Sequence, residues 1–154
     1  MAFAVIFIRG TINSKRGVAD TLAMLNLHKK QHCTVIPDTP AYRGMLQKVK
    51  DYVTWGEISP EMLARLILER GRLEGGAKVT EDYIKEKTKY TSVLSFAKAV
   101  VNGDEKIIGV PGMKPVFRLS PPRKGLRSVK RPFNDKGDLG YRGKEIDKLL
   151  ERML

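Results

Sequence analysis

The sequence carries a single cysteine, Cys33, in 154 residues. That excludes an internal disulfide and a thiol cluster for zinc, and it suits a reducing, intracellular setting. Histidine is nearly as scarce, with only His28 and His32. Together with Cys33 they form the one group of metal-ligand types, but structural zinc wants four ligands and no fourth is in view. The plainer reading places Cys33 inside a strand with the histidines at its mouth, so no metal is expected. Long apolar runs are missing too. The stretch from Ala2 to Ile8 has no basic residue before it and is too short for a membrane span or a secretory leader, which leaves a buried strand. A membrane-surface role would need a basic amphipathic helix, whereas the densest basic stretch is rich in proline and glycine.

Catalytic signatures are absent in the same way. The histidines have no local nucleophile motif such as G-x-S-x-G. Glu81, Asp82 and Glu86 are interleaved with Lys85, Lys87 and Lys89, the pattern of a solvated helix face. Gly109-Val110-Pro111-Gly112 resembles a GXXG phosphate clamp only in its glycines, since a proline sits where two helices should join. Gly112-Met113-Lys114 has neither the spacing nor the hydroxyl of a P-loop. No catalytic residue, cofactor or small-molecule substrate is expected.

The scarcity that carries information is of acid. Lysine and arginine number 29 against 17 aspartates and glutamates, a net charge of +12, and a compact chain so charged calls for an anionic partner. The charge is unevenly spread. Residues 1–57 carry eight basic and four acidic side chains, 58–105 eight and eight, and 106–154 thirteen and five. From Lys106 to Asn134 there are eight basic residues and no acid at all, which marks a binding face.

Periodicity divides the chain at the same places. In 1–57, Phe3 to Arg9 reads as a strand, and Val18, Leu22 and Leu25 recur at helical spacing with Asp20 in the first turn. Cys33 to Ile36 reads as a second strand closed by Pro37. Asp38-Thr39-Pro40 supplies an N-cap with proline at the first helical position. A stripe of Tyr42, Met45, Leu46 and Val49 follows, then a third strand from Tyr52 to Glu57. Two helices crossing between three strands imply an α/β (α+β) unit of ferredoxin-like β-α-β-α-β form, with both helices on one face of the sheet. Residues 58–105 read as a helical extension. One helix opens at Ser59-Pro60, a short one is capped by Thr80, and another, with Leu94, Ala97, Val100 and Val101 inward, stops at Gly103. These helices look like packing. Residues 106–154 read as a basic arm broken by Pro111, Pro115, Pro121, Pro122 and Pro132. The arm holds one strand, Val116 to Leu119, and ends in a helix from Lys144 to Met153 that docks through Ile146, Leu149 and Leu150.

The strongest constellation is Lys114, Arg118, Arg123, Lys124, Arg127, Lys130 and Arg131, interleaved with Phe117, Pro121, Pro122 and Phe133. Basic side chains neutralise phosphates and release counterions, and the arginine fork grips phosphate oxygens in pairs. A long loop of this kind is costly to order unless a partner orders it. Phe133 and Tyr141 read either as base-stacking platforms or as core anchors. A smaller patch comprises Arg9, Lys15 and Arg16 before the first helix, with Arg43, Gly44 and Lys48 on the second. There the free N–H groups of the first turn would also favour an anion. Gly44 costs helix stability, and either helix packing or close approach of a partner to the backbone would account for it.

Thr39-Pro40-Ala41-Tyr42-Arg43-Gly44-Met45, then Lys48-Val49 and Tyr52-Val53-Thr54-Trp55-Gly56, resembles the signature of the large-subunit ribosomal protein family L-thirty, called L-seven in eukaryotes. Phe117-Arg118-Leu119-Ser120-Pro121-Pro122-Arg123-Lys124-Gly125 and Gly137-Asp138-Leu139-Gly140 look like its longer form. The first strand begins at Ala2 without the long basic extension of eukaryotic members, so the archaeal type is the better match. The resemblance implies a ferredoxin-like core, no catalysis, and a cytoplasmic place in the large ribosomal subunit. Its partners there would be the large rRNA, the nearby 5S rRNA and neighbouring ribosomal proteins. It also implies that Arg43, Gly44 and Lys48 lie on an RNA-contacting helix and that Ser120 to Arg131 form a basic arm. The competing class, a free-standing DNA- or RNA-binding architectural protein, would show a recognition helix or a dimer signal. A nuclease would need carboxylates near the arm, where only Asp135 and Asp138 occur.

Overall fold

The structure is a computed structural model that describes residues 1–12 and 14–154. Strand β1 (Ala2–Phe7) is buried along its whole length. It lies at the centre of a five-stranded sheet, antiparallel to β2 (His32–Pro37) on one side and to β3 (Val53–Glu57) on the other. Its position explains its composition. A strand covered on both faces reads as an unbroken apolar run instead of an alternation. Phe3, Val5 and Phe7 point to one face, and Ala2, Ala4, Ile6 and Ile8 belong to the core on the other.

The first face is covered by α1 (Arg16–Met24) and α2 (Pro40–Val49), which bring Leu22, Leu25, Leu46 and Val49 against Phe3, Val5, Phe7, Ile36 and Val53. The start of α2 follows the sequence closely: Thr39 is the N-cap, its hydroxyl accepts the Tyr42 N–H, and Pro40 opens the helix. The three strands and two helices form the expected ferredoxin-like core, with both helices on one face. Helix α1 begins at Arg16, so Asp20 lies beyond the first turn, which contains no acid.

The opposite face is closed by α3 (Pro60–Arg70), α5 (Val93–Asn102) and α6 (Ile146–Met153). Leu63, Leu66, Ile67, Phe96, Ala97, Ile146, Leu149 and Leu150 pack there against Ala4 and Ile6 in the larger of the two cores. The short α4 (Glu81–Lys87) is capped by Thr80 as expected and anchored by Ile84. In α5 the apolar stripe is rotated from the expected one. The helix starts from a Ser92–Ser95 capping box, which puts Val93, Phe96, Ala97 and Val100 inside and leaves Leu94 39% exposed.

Two short strands extend the sheet at its edges. Strand β4 (Val116–Arg118) pairs antiparallel with β2, setting Phe117 opposite Cys33 and Arg118 opposite His32. Strand β5 (Gly140–Tyr141) pairs parallel with β3. A two-residue strand is too short to show alternation, so β5 carried no sequence signal. At this edge Gly56 is required. A Cβ there would lie well inside contact distance of the Gly143 carbonyl oxygen and 2.9 Å from Ile146 Cβ. The bare backbone of β3 therefore lets the segment leading into α6 cross directly over it.

Candidate nucleic-acid interface

The arm begins on one edge of the sheet at β4 and returns to the other at β5, and its own hydrogen bonds hold it there. Leu119 N–H donates to the Gln31 carbonyl, Ser120 N–H to that of Met153, and Arg123 N–H to that of Arg152. Arg152 reaches back from α6 to donate to the carbonyl oxygens of Arg123 and Gly125. Arg70, on α3, donates to the Ser120 hydroxyl at 2.6 Å and to the Leu154 carbonyl. Lys124 and Gly125 both take left-handed backbone angles, φ +64° and +68°, and turn the chain sharply beside Arg123.

Its second half is organised around one buried carboxylate. Asp138 accepts the backbone N–H groups of Arg127 and Ser128 on one oxygen and Arg142 Nη2 at 3.0 Å on the other. Arg142, itself only 7% exposed, also donates to the Asp138 carbonyl and to Thr54 Oγ1, both at 2.8 Å. Its guanidinium lies over the Phe133 ring, 4.8 Å from the centroid. Burial presses the Arg142 guanidinium below its ordinary range, and the hydrogen bond and charge of Asp138 oppose that. Thr54 in turn donates to the Gly140 carbonyl at 2.9 Å, tying the pair to β3 and β5. Phe133 is thus an anchor for the arm. Tyr141 packs edge-on against Phe3, with centroids 6.5 Å apart, and donates to Glu57 at 3.2 Å, yet stays half exposed.

This network was not visible in the sequence. Asp138 and Arg142 are four apart in a non-helical segment, and nothing in composition separates a buried arginine from the exposed ones around it. The backbone of the arm, rich in proline and glycine, is held by hydrogen bonds within the protein. The carboxylate, with the N–H groups it gathers, replaces the helical hydrogen bonds that proline forbids.

All seven basic side chains singled out in the arm, Lys114, Arg118, Arg123, Lys124, Arg127, Lys130 and Arg131, are exposed. Among the described residues none of the seven is within ion-pair distance of a carboxylate; the pairs that do form engage Arg43, Arg65, Lys85, Lys89, Arg142 and Lys148. Of the two acids that sequence analysis placed near the arm, Asp135 is exposed and Asp138 is consumed internally. The result is a cationic surface on a fixed backbone.

The smaller patch does not stay together. Lys48 approaches Gly17 at the start of α1, its Nζ 3.3 Å from where a Gly17 Cβ would lie, so it joins Lys15 and Arg16. This is the end of the sheet where β1 finishes, since Ile8 and Arg9 N–H both donate to the Tyr52 carbonyl and Arg9 lies over the Tyr52 ring. Arg43 belongs to the other end. It makes a two-point ion pair with Asp38, at 2.5 and 2.6 Å, and Asp38 N–H donates to the carbonyl of Met1. The Arg43 hydrogen bond holds the Asp38 carboxyl below its usual range. The Arg43 N–H already donates to the Thr39 carbonyl at 2.9 Å, so it is not a free first-turn donor for an anion. Gly44 is exposed, and a Cβ there would meet nothing within 4 Å. Packing within the protein therefore does not explain it.

Cys33 is fully buried in β2, and burial pushes its thiol up to about 12. No group of three or more histidine, cysteine, aspartate or glutamate side chains with metal-holding geometry occurs among the described residues. Nor is any described helix long and apolar enough to cross a membrane.

Fold and site define the class: an α/β scaffold that presents a cationic arm without carboxylate partners, with the buried Asp138 spent on holding that arm. Comparison with known proteins narrows the class. Residues 3–53 match the family described as ribosomal protein L30p/L7e. Over 151 residues the chain is 55% identical to large ribosomal subunit protein uL30 of Archaeoglobus fulgidus, covering 98% of this chain and 99% of that one. It is 51% identical over 152 residues to the uL30 protein of Methanosphaera stadtmanae, with 99% of each covered. To that of Methanobrevibacter smithii it is 47% identical over 152 residues, again with 99% of each covered. The chain belongs to the uL30 family of large-subunit ribosomal proteins, in its archaeal form.

Proposed function

We propose that the protein is a structural constituent of the large ribosomal subunit that binds and stabilises rRNA by charge neutralisation and shape fit, without turnover. The observation that carries this reading is the arm: seven exposed basic side chains free of carboxylate partners, on a backbone pinned by Asp138, Arg142 and Arg152. Preordering the arm removes much of the entropy that a flexible basic tail would lose on binding. Lys15, Arg16 and Lys48 add a second point of contact at the far end of β1, and Gly44 offers bare helix backbone to an approaching sugar-phosphate chain. Family membership supports the large rRNA, near 5S rRNA, and adjacent ribosomal proteins as partners in the cytoplasmic ribosome.

The test is the triple variant Arg123→Glu, Lys124→Glu and Arg127→Glu. The internal hydrogen bonds of Arg123 and Arg127 are made by their backbone groups, so the fold should survive while co-sedimentation with large subunits is lost. For the wild type, log affinity for rRNA should fall against log salt with a slope of roughly 0.7 to 0.9 per neutralised phosphate. Unchanged co-sedimentation of the triple variant, or salt-insensitive binding, would overturn the proposal.

A further inference from the structure

One cleft outside the arm proper has the chemistry of an anion site. It has a volume of about 380 Å³ and is lined by Asn26 and His28 from the connection after α1, His32 of β2, Arg72 and Gly76 beyond α3, and the segment Lys114 to Arg118. The lining brings together two imidazoles, two guanidiniums and one ammonium, with no carboxylate among them. Two of its polar atoms, His32 Nδ1 and Arg72 Nη1, are buried and have no hydrogen-bond partner within the protein. Buried polar atoms of this kind are nearly always satisfied, so two of them on residues that line one cleft ask for a partner.

The fold makes this arrangement deliberately. The β2–β4 register sets Arg118 directly opposite His32, so two basic groups share one face at the sheet edge. Arg72 is fixed by its carbonyl, which accepts the Lys114 N–H at 2.9 Å, and by its bridge to Lys78. Like charges held side by side without a counterion are unfavourable, and an anion of suitable size relieves all of them at once.

We propose that this cleft is a phosphate site that receives one phosphodiester of the rRNA backbone, with Arg72 and His32 as buried donors and Arg118 and Lys114 closing the rim. This rests on the rRNA-binding reading above and adds to it a defined pocket, in contrast to the open cationic arm. His32 titrates below its ordinary value in the free protein, first because of burial and then because Arg118, His28 and Lys29 oppose its protonation. Arg72 and Lys114 are the other charged groups that line the cleft. A seated phosphate reverses that balance, so binding takes up a proton at His32. The added affinity is full below the free His32 value and disappears as pH rises through the higher, bound value.

The experiment follows the His32 imidazole by NMR in the full chain across a pH titration, with inorganic phosphate and with chloride at equal ionic strength. It is then repeated with rRNA from large subunits. Phosphate and rRNA should both raise the His32 pKa relative to chloride. Arg72→Gln should abolish the phosphate-induced shift and lower the rRNA salt slope by about one phosphate equivalent, 0.7 to 0.9. A His32 pKa unmoved by phosphate and rRNA in the wild type, which needs no variant to fold, would overturn the proposal even if rRNA still binds. A shift with inorganic phosphate but none with bound rRNA would overturn the RNA assignment and leave a site for free phosphate. Failure of the wild type to bind rRNA at all would instead sink the broader reading, and this one with it.

Discussion

Replacing Asp138 by Ala tests whether one carboxylate organises the arm. In the native protein it accepts from Arg142 at 3.0 Å and from the N–H groups of Arg127 and Ser128. Arg142 is 7% exposed and keeps only Thr54 Oγ1, the Asp138 carbonyl and the Phe133 face when the carboxylate is gone. Removing one member of a buried pair leaves the other charge uncompensated, which costs about 3–5 kcal/mol. Against a total stability of roughly 5–15 kcal/mol, that is a large fraction. The loss need not unfold the whole chain, because Arg127 to Leu139 can open while the two cores stay packed. Two assays therefore belong together: urea denaturation for the global change, and limited tryptic digestion, since Arg127 and Lys130 become cleavable when the arm opens. Arg142→Met, combined with Asp138→Ala, completes a double-mutant cycle. The double variant should recover much of the single loss, because no charge then remains buried. A single variant within 0.5 kcal/mol of wild type by denaturation, on the order of an ordinary surface change, and equally resistant to trypsin, would refute the reasoning. So would a cycle that adds without coupling.

Gly56→Ala should destabilise the protein at or above the upper end of the roughly 1–3 kcal/mol typical of overpacking, because the new methyl meets the Gly143 carbonyl and Ile146. Urea unfolding measures it, and a neutral outcome would show that α6 does not sit against β3 as described. Gly44→Ala has open space around it and should stabilise the isolated protein by about 0.5–1 kcal/mol in thermal unfolding, while weakening rRNA binding. Equal rRNA affinity would remove the argument that a partner approaches the bare helix backbone. Cys33, its thiol raised to about 12 by burial, should be inert to a thiol reagent at pH 8 in the folded state and react only on denaturation. Rapid labelling of the native protein would contradict its burial between the sheet and the larger core.

Much of this protein was legible without coordinates because its signals are local. The unbroken apolar run from Ala2 to Ile8 announced a strand buried on both faces, Thr39-Pro40 announced the start of α2, and the acid-free run from Lys106 to Asn134 announced a cationic surface. Each depends on neighbours within a few residues, or on composition alone. What only the tertiary structure decided depends on residues far apart in the chain. Periodicity gave no sign of β5, that α5 would turn Leu94 outward, or that Arg43 and Lys48 would fall at opposite ends of the sheet. Among thirteen basic residues in the last third, Arg142 alone is classed as buried; it lies against Asp138 and Thr54 and organises the arm. Arg72 lay in a segment of zero net charge that read as packing, yet folding brings it to the same cleft as His32 and Lys114. Charge tells how strongly a chain needs an anion; which cations converge, and which are spent on holding the surface in shape, is settled by contacts between residues as distant as Thr54 and Arg142.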